Sequence, residues 1–213
     1  MATMNALLFD VFGTLVDWLA FADAWRGQYQ PAMDDVRSGR LPFSKLDALH
    51  RRNLDVILRA FALDDVDEAT RAQLNLAWHR LDAWPDVRPG LERLRTRCRL
   101  APCSNGNISL MIDLARRNGF PWDAILGAEL ARDYKPKPAV YIAAVDALDL
   151  PPDQVMMVAA HPSDLAAAAR AGLRTAFIER PNEFGPGRGD TLGSTSVDYA
   201  VASMTALADA LDT

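Results

Sequence analysis

Four short segments carry side chains able to do chemistry, and each follows an apolar run. Asp10 ends Ala6-Leu7-Leu8-Phe9, Ser104 and Asn105 follow Arg99 to Cys103, Lys135 lies beyond Ala124 to Leu126, and His161 to Asp164 follow Val155 to Ala159. Apolar runs of this length, closed by polar and Gly residues, read as buried parallel strands. In open parallel sheets, ligands bind outside the carboxyl ends of the strands. The four segments are therefore expected on one side of one sheet. A carboxylate is an effective nucleophile when it is ionised, desolvated and aimed in line. A neighbouring lysine keeps it ionised, lowering its pKa by roughly 1–3 units. Asp10 and Lys135 are residue types that such chemistry uses, and the plainer reading of Lys135 is a surface lysine. Asp164 precedes Leu165 at a helix start, so it also reads as an N-cap.

The elements that must position these groups follow from periodicity. After Trp84-Pro85, strand-like runs (the three above, then Thr175 to Ile178) alternate with helical ones. The helical runs are Pro89 to Arg97, Ile108 to Asn118, Pro138 to Leu148 and Asp164 to Ala171. Such alternation means a parallel sheet covered on both faces. Between about Phe21 and Leu81 the apolar residues recur at helical spacing, as in Leu46, Leu49, Leu54, Ile57, Leu58 and Phe61. Breaks at Pro31, at Ser38-Gly39 with Pro42, and around Asp64-Asp65 divide that stretch into three helices. Ser44 and Asp47 have capping-box spacing. The fold class expected is α/β, a Rossmann-like parallel sheet core (1–16 and 86–213) with an inserted helical cap (17–85).

The 213 residues, half of them hydrophobic, suit one such core with a small accessory unit. A net charge of −5 with the signs mixed along the chain carries no nucleic-acid footprint, which favours a small-molecule partner. No apolar run spans a bilayer and Met1 to Asn5 lacks the features of a secretory signal, so no membrane partner and a cytoplasmic location are expected. Cys98 and Cys103 read as buried free thiols. Pro181 to Gly193, rich in Gly and Pro, reads as a surface loop. Its Gly185-Pro186-Gly187-Arg188-Gly189 run does not stand between strand and helix as a phosphate loop must. Trp25, Trp78 and Trp84 read as packing, Trp18 as packing at a hinge or as a pocket wall, and His50-Arg51-Arg52 as a solvated helix face.

Asp10-Val11-Phe12-Gly13-Thr14-Leu15, Ser104-Asn105-Gly106, Tyr134-Lys135-Pro136 and Asp164 together resemble the four signature motifs of the haloacid dehalogenase superfamily. The first-motif Phe12, the run Ser104 to Asn107, and Tyr141 six residues beyond Lys135 look most like the type II (L-2-haloacid) dehalogenases. The resemblance implies hydrolysis of a short 2-haloacid to a 2-hydroxy acid through an Asp10 ester, with no cofactor and no metal, in a homodimer. It implies that Thr14 orients Asp10, and that Ser104 with the backbone N–H groups of Val11 and Phe12 holds the substrate carboxylate. It places Asn105, with Arg26 of the first cap helix, at the departing halide, and Tyr141 and Asp164 in the catalytic set. The superfamily's magnesium phosphatases carry a second aspartate where this chain has Phe12, and another acid ahead of Asp164 where it reads Ala159-Ala160-His161-Pro162-Ser163. Phenylalanine cannot protonate a leaving alkoxide, and two carboxylates make a poor magnesium cage, whereas halide leaves without either. Ala159 and His161 replace the family's water-positioning Ser and Asn, so His161 is read as the group that binds or activates water. Trp18 runs almost directly into the helix of Phe21 and Trp25, a shorter connection than in relatives, leaving Arg26 as either a halide contact or a solvated helix residue. Another electrophile (a phosphate ester or azetidine-2-carboxylate) and a catalytically weak small-acid-binding protein stand as alternatives, because fold alone does not fix function.

Overall fold

The structure, a computed structural model, describes residues 4–10, 14, 16–17 and 23–212. Strand β1 (Ala6–Phe9) is followed by β2 (Val16–Asp17), α1 (Asp23–Gly27), α2 (Tyr29–Arg37), α3 (Leu46–Ala60), α4 (Glu68–Asn75), a 3₁₀ turn (Leu76–Arg80) and β3 (Asp82–Ala83). The second part runs α5 (Val87–Leu94), β4 (Arg99–Ser104), α6 (Ile108–Asn118), β5 (Leu126–Gly127), α7 (Ala128–Ala131) and α8 (Pro138–Leu148). A 3₁₀ turn (Pro152–Gln154) then leads to β6 (Val155–Ala159), α9 (Pro162–Arg170), β7 (Arg174–Ile178), β8 (Tyr199–Val201) and α10 (Met204–Asp212).

The six-stranded sheet has the order β5-β4-β1-β6-β7-β8, and all five pairings are parallel. All four residues of β1 are buried, as a strand covered on both faces requires. Alternation then sorts the side chains. Leu7, Phe9, Met156 and Val158 pack toward α5, α6 and α10, through Leu91, Leu110 and Leu207. Ala6, Leu8, Met157 and Ala159 pack the other way, onto Val140, Tyr141 and Ala144 of α8 and Leu165 of α9. From β1 the order moves one way to β4 and the other to β6, so the crevice at their carboxyl ends is the switch point where such sheets bind ligands. Gly127 lets β5 close against β4 there. At φ +120°, an added Cβ would lie 2.3 Å from the Ser104 carbonyl oxygen.

Among the described residues, the chain between β2 and β3 joins no strand to the main sheet. It leaves and returns side by side, because Val16 and Asp17 pair antiparallel with Ala83 and Asp82. Its helices bury Trp25, Met33, Leu46, Leu49, Leu54, Leu58 and Trp78 in the same apolar cluster as Leu7 and Phe9 of the sheet. Among the described residues, no helix is long and apolar enough to cross a membrane.

Several expectations need correction. The stretch 23–80 holds four helices and a 3₁₀ turn rather than three helices, because the chain turns at Gln28 between α1 and α2. Ser44 and Asp47 form no capping box. Lys45 occupies the N-cap, the Ser44 hydroxyl donates to the Pro42 carbonyl, and Asp47 is drawn to Asn107 and His79. His50 is buried rather than solvated, since it shares the inward stripe of α3 with Leu46, Asn53 and Leu54, while Arg51 turns out to Asp55 and Glu68. The strand expected at Ala124 to Leu126 is only Leu126–Gly127. Asp164 lies in the first turn of α9 and His161 at its N-cap, with Pro162 opening the helix. The 181–193 loop has no regular structure, yet Glu183 within it is fully buried. Cys98 and Cys103 are buried and free, as expected. Val11, Phe12 and Trp18 lie outside the described residues.

Candidate active site

Asp10 stands one residue past β1, its N–H continuing the ladder to the Val158 carbonyl at 2.8 Å. Its two oxygens are held differently. Oδ1 accepts from Lys135 Nζ at 3.0 Å. Oδ2 accepts from the Thr14 hydroxyl at 2.9 Å and lies 2.8 Å from His161 Nδ1. The Ala160 N–H donates to Thr14 Oγ1 at 2.8 Å, which fixes the hydroxyl so that its proton points at Asp10. Lys135 also donates to Asp164 Oδ2 at 2.6 Å, and the Tyr141 hydroxyl donates to Asp164 Oδ1. On the far side, His161 Nε2 lies 3.1 Å from Glu183 Oε1, and Arg26 Nη1 lies 3.7 Å from the same oxygen. Acid and base therefore alternate along one chain: Asp164, Lys135, Asp10, His161, Glu183, Arg26.

This alternation sets the protonation states. Burial alone would push the Asp10 carboxyl up, but Lys135 and His161 outweigh it and hold the group well below the usual carboxylate range. Burial would strip the proton from Lys135, yet Asp10 and Asp164 hold it far above the ordinary lysine value. Burial likewise disfavours charged His161, but Asp10 and Glu183 raise its pKa to about 10. His161 is thus a cation beside free Asp10, not the neutral imidazole expected of a histidine near neutrality. Burial lifts the Tyr29 phenol to about 12.

These groups floor a cavity of about 330 Å³. Asp10, Asn105, Lys135, His161 and Asp164 line it from the sheet side, and Arg26, Tyr29, Gln30, His50 and Trp78 from the inserted helices. Phe184 and Asp190 of the 181–193 loop complete the wall. Thr14 and Tyr141 stand behind the floor, acting on Asp10 and Asp164. Arg26 reaches the cavity and lies 4.1 Å over the Phe184 ring. Asn105 ties the two sides together, since its Oδ1 accepts the Lys135 N–H at 2.8 Å and its Nδ2 lies 3.3 Å from Met33 Sδ. Ser104 is not brought to the cavity. It is fully buried, and its Oγ accepts the Gly106 N–H at 3.0 Å. Sequence reasoning missed Glu183, Tyr29 and His50, and it read Trp78 only as packing. For Glu183 a signal existed: it follows β7 at the same carboxyl edge as the other site residues.

A magnesium ion of the kind the superfamily's phosphatases use does not fit these residues. All four carboxylate oxygens of Asp10 and Asp164 already face Lys135, Tyr141, Thr14 or His161. Among the described residues, no group of three His, Cys, Asp or Glu side chains is placed to hold a metal ion.

Comparison with known proteins identifies the family. A family model described as haloacid dehalogenase-like hydrolase matches residues 4–172. The haloacetate dehalogenase H-2 of Moraxella sp. (strain B) is 28% identical over 97% of both chains. A crystal structure of the L-2-haloacid dehalogenase PA0810 superposes with a TM-score of 0.94 at 44% identity, covering 98% of this chain and 99% of that one. A defluorinating L-2-haloacid dehalogenase superposes with a TM-score of 0.95 at 42% identity, covering 99% and 96%. By motif, fold and site together, this chain belongs to the haloacid dehalogenase-like hydrolases.

Proposed function

We propose that the chain hydrolyses short 2-haloacids to 2-hydroxy acids through an ester of Asp10, without a metal. One observation carries this reading: a buried carboxylate, held ionised by Lys135 and aimed by Thr14, stands at the floor of a cavity large enough for a small acid. The relatives named above act on the same class of substrate by their names. Oδ1, which among the described residues accepts from Lys135 alone, attacks C-2 of the substrate, and the carbon–halogen bond breaks with its electron pair leaving as halide. No proton is needed at this step. The Val11 and Phe12 N–H groups hold the substrate carboxylate, and Arg26 and Asn105 line the cavity into which the halide leaves.

Esterification then removes the charge that holds the His161 proton. His161 releases that proton to solvent, and Glu183 keeps the remaining one on Nε2, which leaves Nδ1 facing the ester as a base. Water adds to the Asp10 carboxyl carbon and gives its proton to Nδ1. The bond from that carbon to Oδ1 breaks, and the product alkoxide takes the proton from His161. Oδ1 departs with the 2-hydroxy acid, and the water oxygen stays in Asp10.

Residues 17–85 form a cap on a core of 1–16 and 86–213, and closure excludes water from the first step. A cytoplasmic homodimer completes the reading, checked by sedimentation of the purified protein. The functional test is halide release from 2-chloropropionate in the presence of a chelator. Turnover by the parent and its loss in Asp10→Asn support the proposal. Magnesium-dependent release of p-nitrophenol from its phosphate, without halide release, would replace it with a phosphatase.

A further inference from the structure

His50 belongs to none of the roles above, yet it lines the roof of the cavity from α3. Its ring stacks on Trp78 at 4.5 Å between centroids and stands 5.9 Å from Tyr29, with an edge contact to Trp25 at 6.2 Å. Only 2% of the residue is exposed, and Nδ1 is enclosed without any hydrogen-bond partner among the described residues. Burial drives the imidazole pKa down to about 3, so the ring is neutral at physiological pH and carries a single N–H. A buried N–H without an acceptor is rarer in proteins than an under-used acceptor, which favours a bare Nδ1 and a proton on Nε2.

The direction of the reaction gives that donor a use. Asp10 attacks from the floor, and displacement at saturated carbon sends the leaving group away from the nucleophile, toward the roof. At the roof, Arg26 is drawn to Glu183, and on the facing side Asn105 is committed to the Lys135 N–H and to Met33 Sδ. We infer that the His50 Nε2–H receives the departing halide and that it selects for fluoride, the halide that accepts hydrogen bonds most strongly. The bond formed is Asp10 Oδ1 to C-2, the bond broken is carbon to halogen, and the proton stays on His50 throughout. A hydrogen bond to an anion developing in the transition state speeds departure most for the poorest leaving group. The inference rests on the proposed dehalogenation and names the halogen that this site prefers.

The test compares kcat/KM for fluoroacetate and bromoacetate in the parent, His50→Phe and His50→Gln. Phenylalanine keeps the stacked ring and removes the N–H, whereas glutamine restores a donor. The fluoroacetate-to-bromoacetate ratio should fall about 10–100-fold in His50→Phe, the size of one hydrogen bond to an anion, and recover in part in His50→Gln. Should His50→Phe fail to fold, ¹⁵N spectra of the parent serve instead: fluoride should shift the His50 Nε2 resonance more than bromide does. An unchanged ratio, a parent that releases bromide but no fluoride, or a resonance indifferent to fluoride overturns the inference. A parent that releases no bromide refutes the proposed function itself.

Discussion

Replacing Glu183 with glutamine separates the two halves of the proposed reaction. Glu183 is fully buried, and its Oε1 is 3.1 Å from His161 Nε2, which makes it the group that orients the imidazole. The rise of His161 from 6.5 to about 10 is a net preference for its charged form on the order of 5 kcal/mol, which Asp10 and Glu183 supply against the cost of burial. When Asp10 becomes an ester its share vanishes, and Glu183 alone decides which nitrogen keeps the proton. Glutamine can donate to Nε2 as readily as accept from it, so the variant loses control of the tautomer that leaves Nδ1 free. Ester formation depends on Asp10 and Lys135 and should change less than about threefold. Ester hydrolysis should slow by about 10²–10⁴-fold, the range of a general base. Rapid-quench measurement with bromoacetate should then show one bromide released per active site, followed by slow turnover. Intact mass analysis of the quenched protein should show the adduct. Loss of the burst along with turnover, or a steady-state rate within about threefold of the parent, would refute this role for Glu183.

Two further perturbations probe the charge chain and the join between the inserted helices and the sheet domain. Lys135→Met leaves Asp10 and Asp164 facing each other without their shared cation, so the Asp10 pKa rises and ester formation should fall by more than about 10³-fold; a burst of parent size would contradict this. His79 of the 3₁₀ turn lies 2.7 Å from Asp113 of α6 and 3.2 Å from Asp47 of α3, and Asn107 donates to Asp47 at 2.8 Å, so the cluster latches the inserted helices to the sheet domain. Burial opposes the His79 charge, but the two carboxylates raise its pKa, so the latch is fully formed below about pH 6.5 and is lost as pH rises through the folded value. Solvent at half-exposed Asp113 screens the pair, so His79→Gln should cost about 1 kcal/mol at pH 6 and much less at pH 9, read from denaturant melts; a cost independent of pH would rule the latch out.

The central strands and the floor of the site were legible in the sequence because burial on both faces writes an uninterrupted apolar run, and each run ends where the chemistry begins. Asp10, Asn105, Lys135, His161 and Asp164 could be placed from that rule alone. The roof was harder. His50 lies beside Arg51 and Arg52 in sequence, but a helix turns about 100° per residue, so its partners are Leu46, Asn53 and Leu54. The periodicity that assigned the helix already pointed His50 inward. Glu183 offered less, because a Gly- and Pro-rich loop has no period, and its buried carboxylate meets His161 and Arg26 across the fold. β8 and α10 passed unread: three residues at a sheet edge carry little pattern, although Met204, Leu207 and Ala208 have helical spacing and pack on α5.

The most direct test is a single turnover of excess enzyme with 2-chloropropionate in ¹⁸O-water, followed by mass analysis of the peptide holding Asp10 and of the lactate formed. An Asp10 ester puts one ¹⁸O in the Asp10 side chain and none in the hydroxyl of the first product. Label in the product hydroxyl with Asp10 unlabelled would mean that water attacks the substrate directly, and the ester would have no place in the reaction.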